Sequence, residues 1–159
     1  MKQTVRVRPA TKKEAAIIAG FNKAMAHETE RRSLSPAILS RGVRAVFSHP
    51  RCGFYLVAEI GKKVVGSLMV TPEWSDWRNG AFWWIQSVYV PPAFRRSGVY
   101  RALHEAVKIL AQKKRRPKVC GLRLYVDCGN ASAQSAYGTM GMKKTGYIVF
   151  EEEFYKGTS

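Results

Sequence analysis

Acidic residues are scarce in this chain. Eleven Asp and Glu stand against 27 Lys and Arg among 159 residues, a formal net charge of +16. Such a surplus favours polyanions and anionic small ligands and speeds their arrival. Cysteine is scarce too: Cys52, Cys120 and Cys128 give an odd count without metal-ligand spacing. That argues against a disulfide framework or a metal site and for reduced, partly buried thiols. No apolar run approaches membrane length, and the opening MKQTVRVRPA lacks a signal-peptide core. The expectation is a soluble, cytoplasmic protein with no membrane partner. Two familiar phosphate-binding signatures are missing as well, GxxxxGK followed by Ser or Thr and GxGxxG. With no repeat, low-complexity segment or linker, and with 46% apolar residues, residues 1–159 read as one domain with a real core.

What is present centres on IQSVYVPPAFRRSGVYRAL, from Ile85 to Leu103. An apolar run ends at Pro91-Pro92, a basic turn follows from Phe94 to Gly98, and a helical pattern opens near Val99. A strand handed to a helix in this way leaves several helix-start N–H groups unpaired and pointing together. The helix dipole adds partial positive charge, and Arg95 and Arg96 add full charges, so phosphate is the natural guest.

In chain order, Thr4 to Arg8 alternates like an edge strand, and Thr11 with Glu14 forms a capping box for a helix to about Ala26. Ser35-Pro36 starts a second helix that ends at His49-Pro50. Phe54 to Ile60 and Lys63 to Val70 form a hairpin about Gly61-Lys62. Pro72 to Gly80 reads as a polar turn carrying Trp74 and Trp77, and Ala81 to Val90 as a central strand apolar on both faces. Alternation puts Trp83 and Trp84 on opposite sides of it. Beyond the turn come a helix on Val99, Leu103, Ala106, Val107 and Leu110, a strand from Lys118 to Asp127, and a short helix from Ala131 to Met140 with Gly141 behind it. A strand from Tyr147 to Tyr155 closes the chain, with room for a short one at Met142 to Thr145. The pattern is mixed α/β, with six to seven strands and about four helices. The run Lys113 to Lys118 reads as a solvated helix end stopped by Pro117.

Arg95 to Tyr100, RRSGVY, resembles the acyl-CoA pyrophosphate loop of the GNAT N-acetyltransferases, whose pattern is Gln or Arg, x, x, Gly, x, Gly or Ala. It matches at Arg95 and Gly98 and departs at Tyr100, where a small residue is usual. A second motif supports the resemblance: DCGNASAQSAY, Asp127 to Tyr137, followed by Gly141-Met142. The order of elements is similar to the GNAT fold along nearly the whole chain.

The resemblance implies an enzyme that moves acetyl from acetyl-CoA to a primary amine by direct attack, without a metal. It implies that Arg95, Arg96, Ser97, Gly98, Val99 and Tyr100 hold the pyrophosphate, Val88 and Val90 pair with the pantetheine through their backbone, Asn130 contacts the same arm, and Tyr137 protonates the departing sulfur. A homodimer through sheet edges or C-terminal strands is implied by the same analogy. The general base is open. Relatives often place Glu before the phosphate turn, where this chain has Gln86 and Ser87. Glu28, Glu30, Glu73 and Asp76 remain, with Glu73 the first choice, while His104 reads as solvated on the outer side of its helix. Tyr100 must turn outward, cover the adenine side or reshape the site. Four tryptophans with these acids would suit a cationic acceptor. The alternative is a basic nucleic-acid-binding module on the same scaffold, without catalysis.

Overall fold

The computed structural model describes residues 4–154. Strand β1 (Val5–Pro9) leads through the capping box, where the Thr11 N–H donates to the Glu14 carboxylate at 2.6 Å, and a short 3-10 turn into α1 (Ala15–Glu30). Helix α1 runs four residues past its expected end. Its last turn is held by a tertiary contact, because Glu28 accepts hydrogen bonds from the Tyr89 hydroxyl at 2.6 Å and from Arg95 at 2.5 Å. Ser35 caps α2 (Pro36–Ser48), with Pro at the first helical position.

Strands β2 (Phe54–Ile60), β3 (Lys63–Ser75) and β4 (Gly80–Tyr89) form an antiparallel meander. The expected polar turn from Pro72 is shorter than anticipated. Pro72, Glu73, Trp74 and Ser75 remain in β3, paired with Trp83, Phe82, Ala81 and Gly80, and only the residues from Asp76 to Asn79 turn. Four backbone pairs outweigh the turn preference of a single Pro. Helix α3 (Val99–Lys113) crosses over to β5 (Val119–Leu124), parallel to β4, and α4 (Ala131–Thr139) follows. The sheet order is β1-β2-β3-β4-β5.

Two cores lie on opposite faces of this sheet. Leu56, Leu68, Val70 and Ile85 meet Val99, Leu103 and Val107 of α3, while Tyr55 and Val57 meet Ala15, Ile18 and Val43 of the first two helices. Full burial of a side chain such as Leu103 is worth about 1.5–3 kcal/mol. No helix among the described residues is long and apolar enough to cross a membrane.

The sheet has five strands among the described residues rather than six or seven. Neither Met142 to Thr145 nor Tyr147 to Phe154 forms a strand, and Tyr155 lies outside the described residues. β-Branched and aromatic residues supply a preference for extended backbone, but a strand exists only against a partner. Among the described residues nothing pairs with the outer edge of β5, and Tyr147, Ile148, Val149, Phe150 and Phe154 are 66–88% exposed.

Candidate active site

The turn after β4 leaves a run of backbone N–H groups open at the head of a helix. Pro92–Phe94 makes one 3-10 turn, Arg96 and Gly98 take left-handed backbone (φ 60° and 83°), and α3 begins at Val99. The N–H groups of Arg95 and Phe94 are spent on the carbonyls of Pro92 and Pro91, and that of Ala102 on Gly98. Between them, the six consecutive N–H groups from Arg96 to Arg101 donate to no other described protein atom. Ser97 closes the turn by donating its hydroxyl to the Phe94 carbonyl at 2.5 Å. This arrangement fits a pyrophosphate, since aligned N–H groups at a helix head favour anions and Arg96, exposed, adds charge. Arg95 is partly committed already: its Nε donates to the Val90 carbonyl at 2.8 Å and its Nη2 pairs with Glu28.

Beside this turn the sheet opens. Pairing of β4 with β5 ends at Ile85 opposite Leu124, while β4 runs on to Tyr89. In the same stretch the register against β3 jumps: Met69 faces Gln86 and Ser67 faces Tyr89, so β4 carries one extra residue, and Ser87 sits at φ 50°. A bulge re-aims the backbone groups of a strand locally. The residues from Gln86 to Tyr89 thus present backbone to a gap that β5 does not fill. Val88 and Val90 keep their side chains against the α3 core. Asn130 heads α4, where its Oδ1 accepts the Ala133 N–H at 3.0 Å.

Helix α4 brings Tyr137 to the head of α3. Its ring meets that of Tyr100 edge to face, with centroids 5.7 Å apart. Tyr100 therefore turns inward, between the two helices, and its hydroxyl is buried without a hydrogen-bond partner among the described residues. Burial pushes the Tyr100 phenol far above its ordinary value, and the neighbouring Tyr137 adds to this. Burial also raises Tyr137, with Tyr100 pulling the other way. The two hydroxyls influence each other's titration without a well-formed bond between them. One turn along α3, His104 is not solvated as expected but only 3% exposed, with Nε2 unpartnered. It falls on the buried stripe with Leu103 and Val107, and burial lowers its pKa and favours the neutral ring.

The opposite face of the sheet carries a polar and aromatic cluster. Trp84 stacks on Tyr125 (centroids 4.4 Å) and donates its Nε1–H to Glu73 at 3.0 Å. Arg123 pairs with the same carboxylate at 2.7 Å and lies 3.7 Å from the centre of the Phe82 ring. Gln86 donates to the Thr71 hydroxyl. Glu73 opposes Phe82 in the ladder, four residues before Gln86, or about 13 Å along the strand. Its carboxylate is engaged by Trp84 and Arg123 on this face. Glu28 sits instead at the end of β4, and its hydrogen bonds from Tyr89 first and Arg95 second hold its carboxyl below the usual range. Trp74 and Trp77 are 58% and 88% exposed. No group of three or more His, Cys, Asp or Glu that could hold a metal ion stands together among the described residues.

Comparison with known proteins defines the class of this mixed sheet, with its parted parallel pair beside an open helix head. The model of the Acetyltransferase (GNAT) family matches residues 21–142. The chain belongs to that family, and acetyl transfer is its general chemistry. Among solved structures it is similar to a possible acetyltransferase from Clostridium difficile 630, with 38% identity over 96% of this chain and 99% of that one and a TM-score of 0.87. More distant likenesses share the fold. One is to AAC(6')-Iy in complex with a CoA bisubstrate analogue (14% identity, 94% and 98% of the chains, TM-score 0.77). Another is to a predicted acetyltransferase with acetyl-CoA from Clostridium acetobutylicum (14%, 94% and 96%, TM-score 0.76). Among curated proteins none matches the chain in sequence.

Sequence reasoning anticipated the strand, turn and helix from Val90 to Val99 and the opposite facing of the two central tryptophans, while Tyr100 turns inward onto Tyr137 rather than outward. The same reasoning passed over Tyr89, Arg123 and Tyr125. Two-residue alternation was the available signal: Phe82, Trp84 and Gln86 on β4 share a face with Arg123 and Tyr125 after it.

Proposed function

We propose that this chain is an N-acetyltransferase that moves acetyl from acetyl-CoA to a primary amine by direct attack, and that residues 1–159 act as one cytoplasmic domain. The observation that carries this reading is the run of six unspent N–H groups at the head of α3, set beside a strand whose next four residues have no partner on the β5 side. One feature fits a pyrophosphate and the other a peptide-like arm. Arg95 to Tyr100 hold the first. The backbone of Val88, the N–H of Val90 and the side-chain amide of Asn130 hold the second.

Both ends of the thioester are then served. The head of α3 anchors the donor on one face, so the acceptor approaches from the other, past Gln86, Trp84 and Tyr125. Glu28 draws the ammonium form of the acceptor to the end of β4, and water there takes its proton. Glu73, the first candidate for a base, instead fixes Trp84 and Arg123 as the acceptor wall. Tyr137 gives its proton to the sulfur as the C–S bond breaks. A homodimer belongs to the same reading, supported by the unpaired β5 edge and the exposed apolar arm of one molecule, and sedimentation of the intact chain tests it.

Calorimetric titration of acetyl-CoA at physiological salt tests the donor site, with 3′,5′-ADP as control. One-site binding clearly tighter than that of the nucleotide is expected. Equal, salt-sensitive binding of both would instead make the basic surface a nucleic-acid contact. Release of CoA thiol against a panel of polyamines, aminoglycosides and lysine peptides then finds the acceptor. Tyr137→Phe should lower turnover by about 100-fold with little change in acetyl-CoA affinity.

A further inference from the structure

We propose that Tyr100 is a positioning residue for Tyr137, its buried hydroxyl held in reserve for the phenolate that Tyr137 becomes when it protonates the departing sulfur. This rests on the reading of Tyr137 as the acid. It explains the residue at which the turn into α3 departs from its family's small-residue pattern.

The Tyr100 hydroxyl is buried and has no hydrogen-bond partner among the described residues, a state that few polar groups in native proteins occupy. Phenylalanine would fill the same volume without that cost, so the hydroxyl is a net burden on the fold unless a partner forms during turnover. Tyr137 is the group placed to become one. Its ring meets Tyr100 edge to face, and Tyr100 is fixed by its place in the first turn of α3, next to Val99, which is 2% exposed in the core. The neighbours differ in role. Burial raises both phenols, and Tyr137 adds to the effect on Tyr100. Tyr137 is the phenol that the proposed function sets at the sulfur, and Tyr100 is the one whose oxygen is buried beside it. The partial positive charge at the helix head favours the anion.

The amine nitrogen bonds to the acetyl carbon, and the C–S electrons leave with sulfur. Sulfur takes the Tyr137 proton, the charge passes to the Tyr137 oxygen, and the Tyr100 O–H donates to it. The proton lost by the amine goes to water, and water returns one to Tyr137. The interaction is strongest when the charge is greatest, which is the condition for accelerating a step rather than tightening binding. Tyr100 is the titratable neighbour that Tyr137 feels. Behind it on α3 stands His104 (ring centroids 6.1 Å apart), itself influenced by Glu105 and Lys108.

The test compares Tyr100→Phe, Tyr137→Phe and the double variant by release of CoA from acetyl-CoA. The acceptor is the best amine of the screen or, if none turns over, water, since the same C–S bond breaks. Tyr100→Phe should lower kcat about tenfold, leave the acetyl-CoA KM within about twofold, and add nothing in the Tyr137→Phe background. Removing a donor to the phenolate raises the pKa of Tyr137, so the alkaline limb of the kcat profile moves to higher pH. Carbon-13 NMR of the tyrosine rings should show the same shift without any acceptor. The variant should be at least as stable as the parent, because a buried unpaired hydroxyl has gone. Equal losses in both backgrounds, or an unmoved titration of Tyr137, would overturn the role of Tyr100 alone. Full activity of Tyr137→Phe would overturn the acid assignment instead.

Discussion

The two faces of β4 do different work with adjacent residues. Trp83 packs into the α3 core with Ile85, Leu122 and Leu124. Trp84 turns to the other side, stacked on Tyr125 and tied to Glu73 beside Arg123. On the first face the contacts are apolar and buried, and they fix where the head of α3 stands relative to the sheet. On the second they are polar or aromatic, half-exposed and adjustable. A strand can thus fix where a neighbouring helix starts with one set of side chains and, in the proposed function, face the acceptor with the other, because its side chains alternate.

The comparison breaks most easily at the buried face. Leu103→Ala removes a fully buried side chain between α3 and the sheet and should cost about 2–5 kcal/mol, read from the urea midpoint with an unchanged slope. An unchanged midpoint would mean that this face does not hold the helix. A smaller effect is expected at the turn into α3. Gly98 has φ 83° with open space around its Cα, so Gly98→Ala meets only backbone strain, about 1–2 kcal/mol. Acetyl-CoA should bind about five- to thirtyfold more weakly if α3 re-aims its N–H groups to relieve that strain. Calorimetry checks this, and unaltered affinity would show that the turn's shape is not what binds.

Trp84→Ala sharpens the contrast. It should raise the KM for the amine while leaving acetyl-CoA affinity nearly unchanged, and a weaker donor affinity would show that the two faces are not separable. The smallest effect lies far from both, where Arg8 joins Glu14 and Glu59. The Arg8 guanidinium, with Thr11, holds Glu14 down to about 2 against an ordinary 4.5. A depressed carboxylate contributes stability that is complete above the unfolded value and fades as pH falls toward the folded one. Glu14→Gln should therefore flatten the acid side of the stability curve between about pH 4.5 and 2 and change little at neutrality. A loss that is equal at all pH values would assign the effect to the cap rather than to the charge.

Local chemistry was readable from the chain. Thr11 with Glu14 and Ser35 with Pro36 mark helix starts by groups within four residues of each other, and the Arg95 to Val99 turn announces its open N–H groups through Pro91-Pro92 and Gly98. The C-terminal segment reads equally well as a strand and forms none among the described residues, because Tyr147 to Phe154 have the right side chains but do not pair with an edge of the sheet. His104 was misplaced for a related reason. Being polar, it was assigned to water, but its spacing of three residues from Val107 and seven from Ala111 puts it on the buried side of α3.

The mixed α/β class, the helix caps, the alternation along β4 and the basic turn into α3 were all written in residues close together in the chain. Only the tertiary structure decided that β4 and β5 part after Ile85, that Glu73 is bound to Arg123 while Glu28 reaches Tyr89, and that Tyr100 turns inward onto Tyr137. Those outcomes join residues 37 to 61 positions apart. Their pairing is settled by which buried groups can be packed and satisfied together, a condition that no local pattern states.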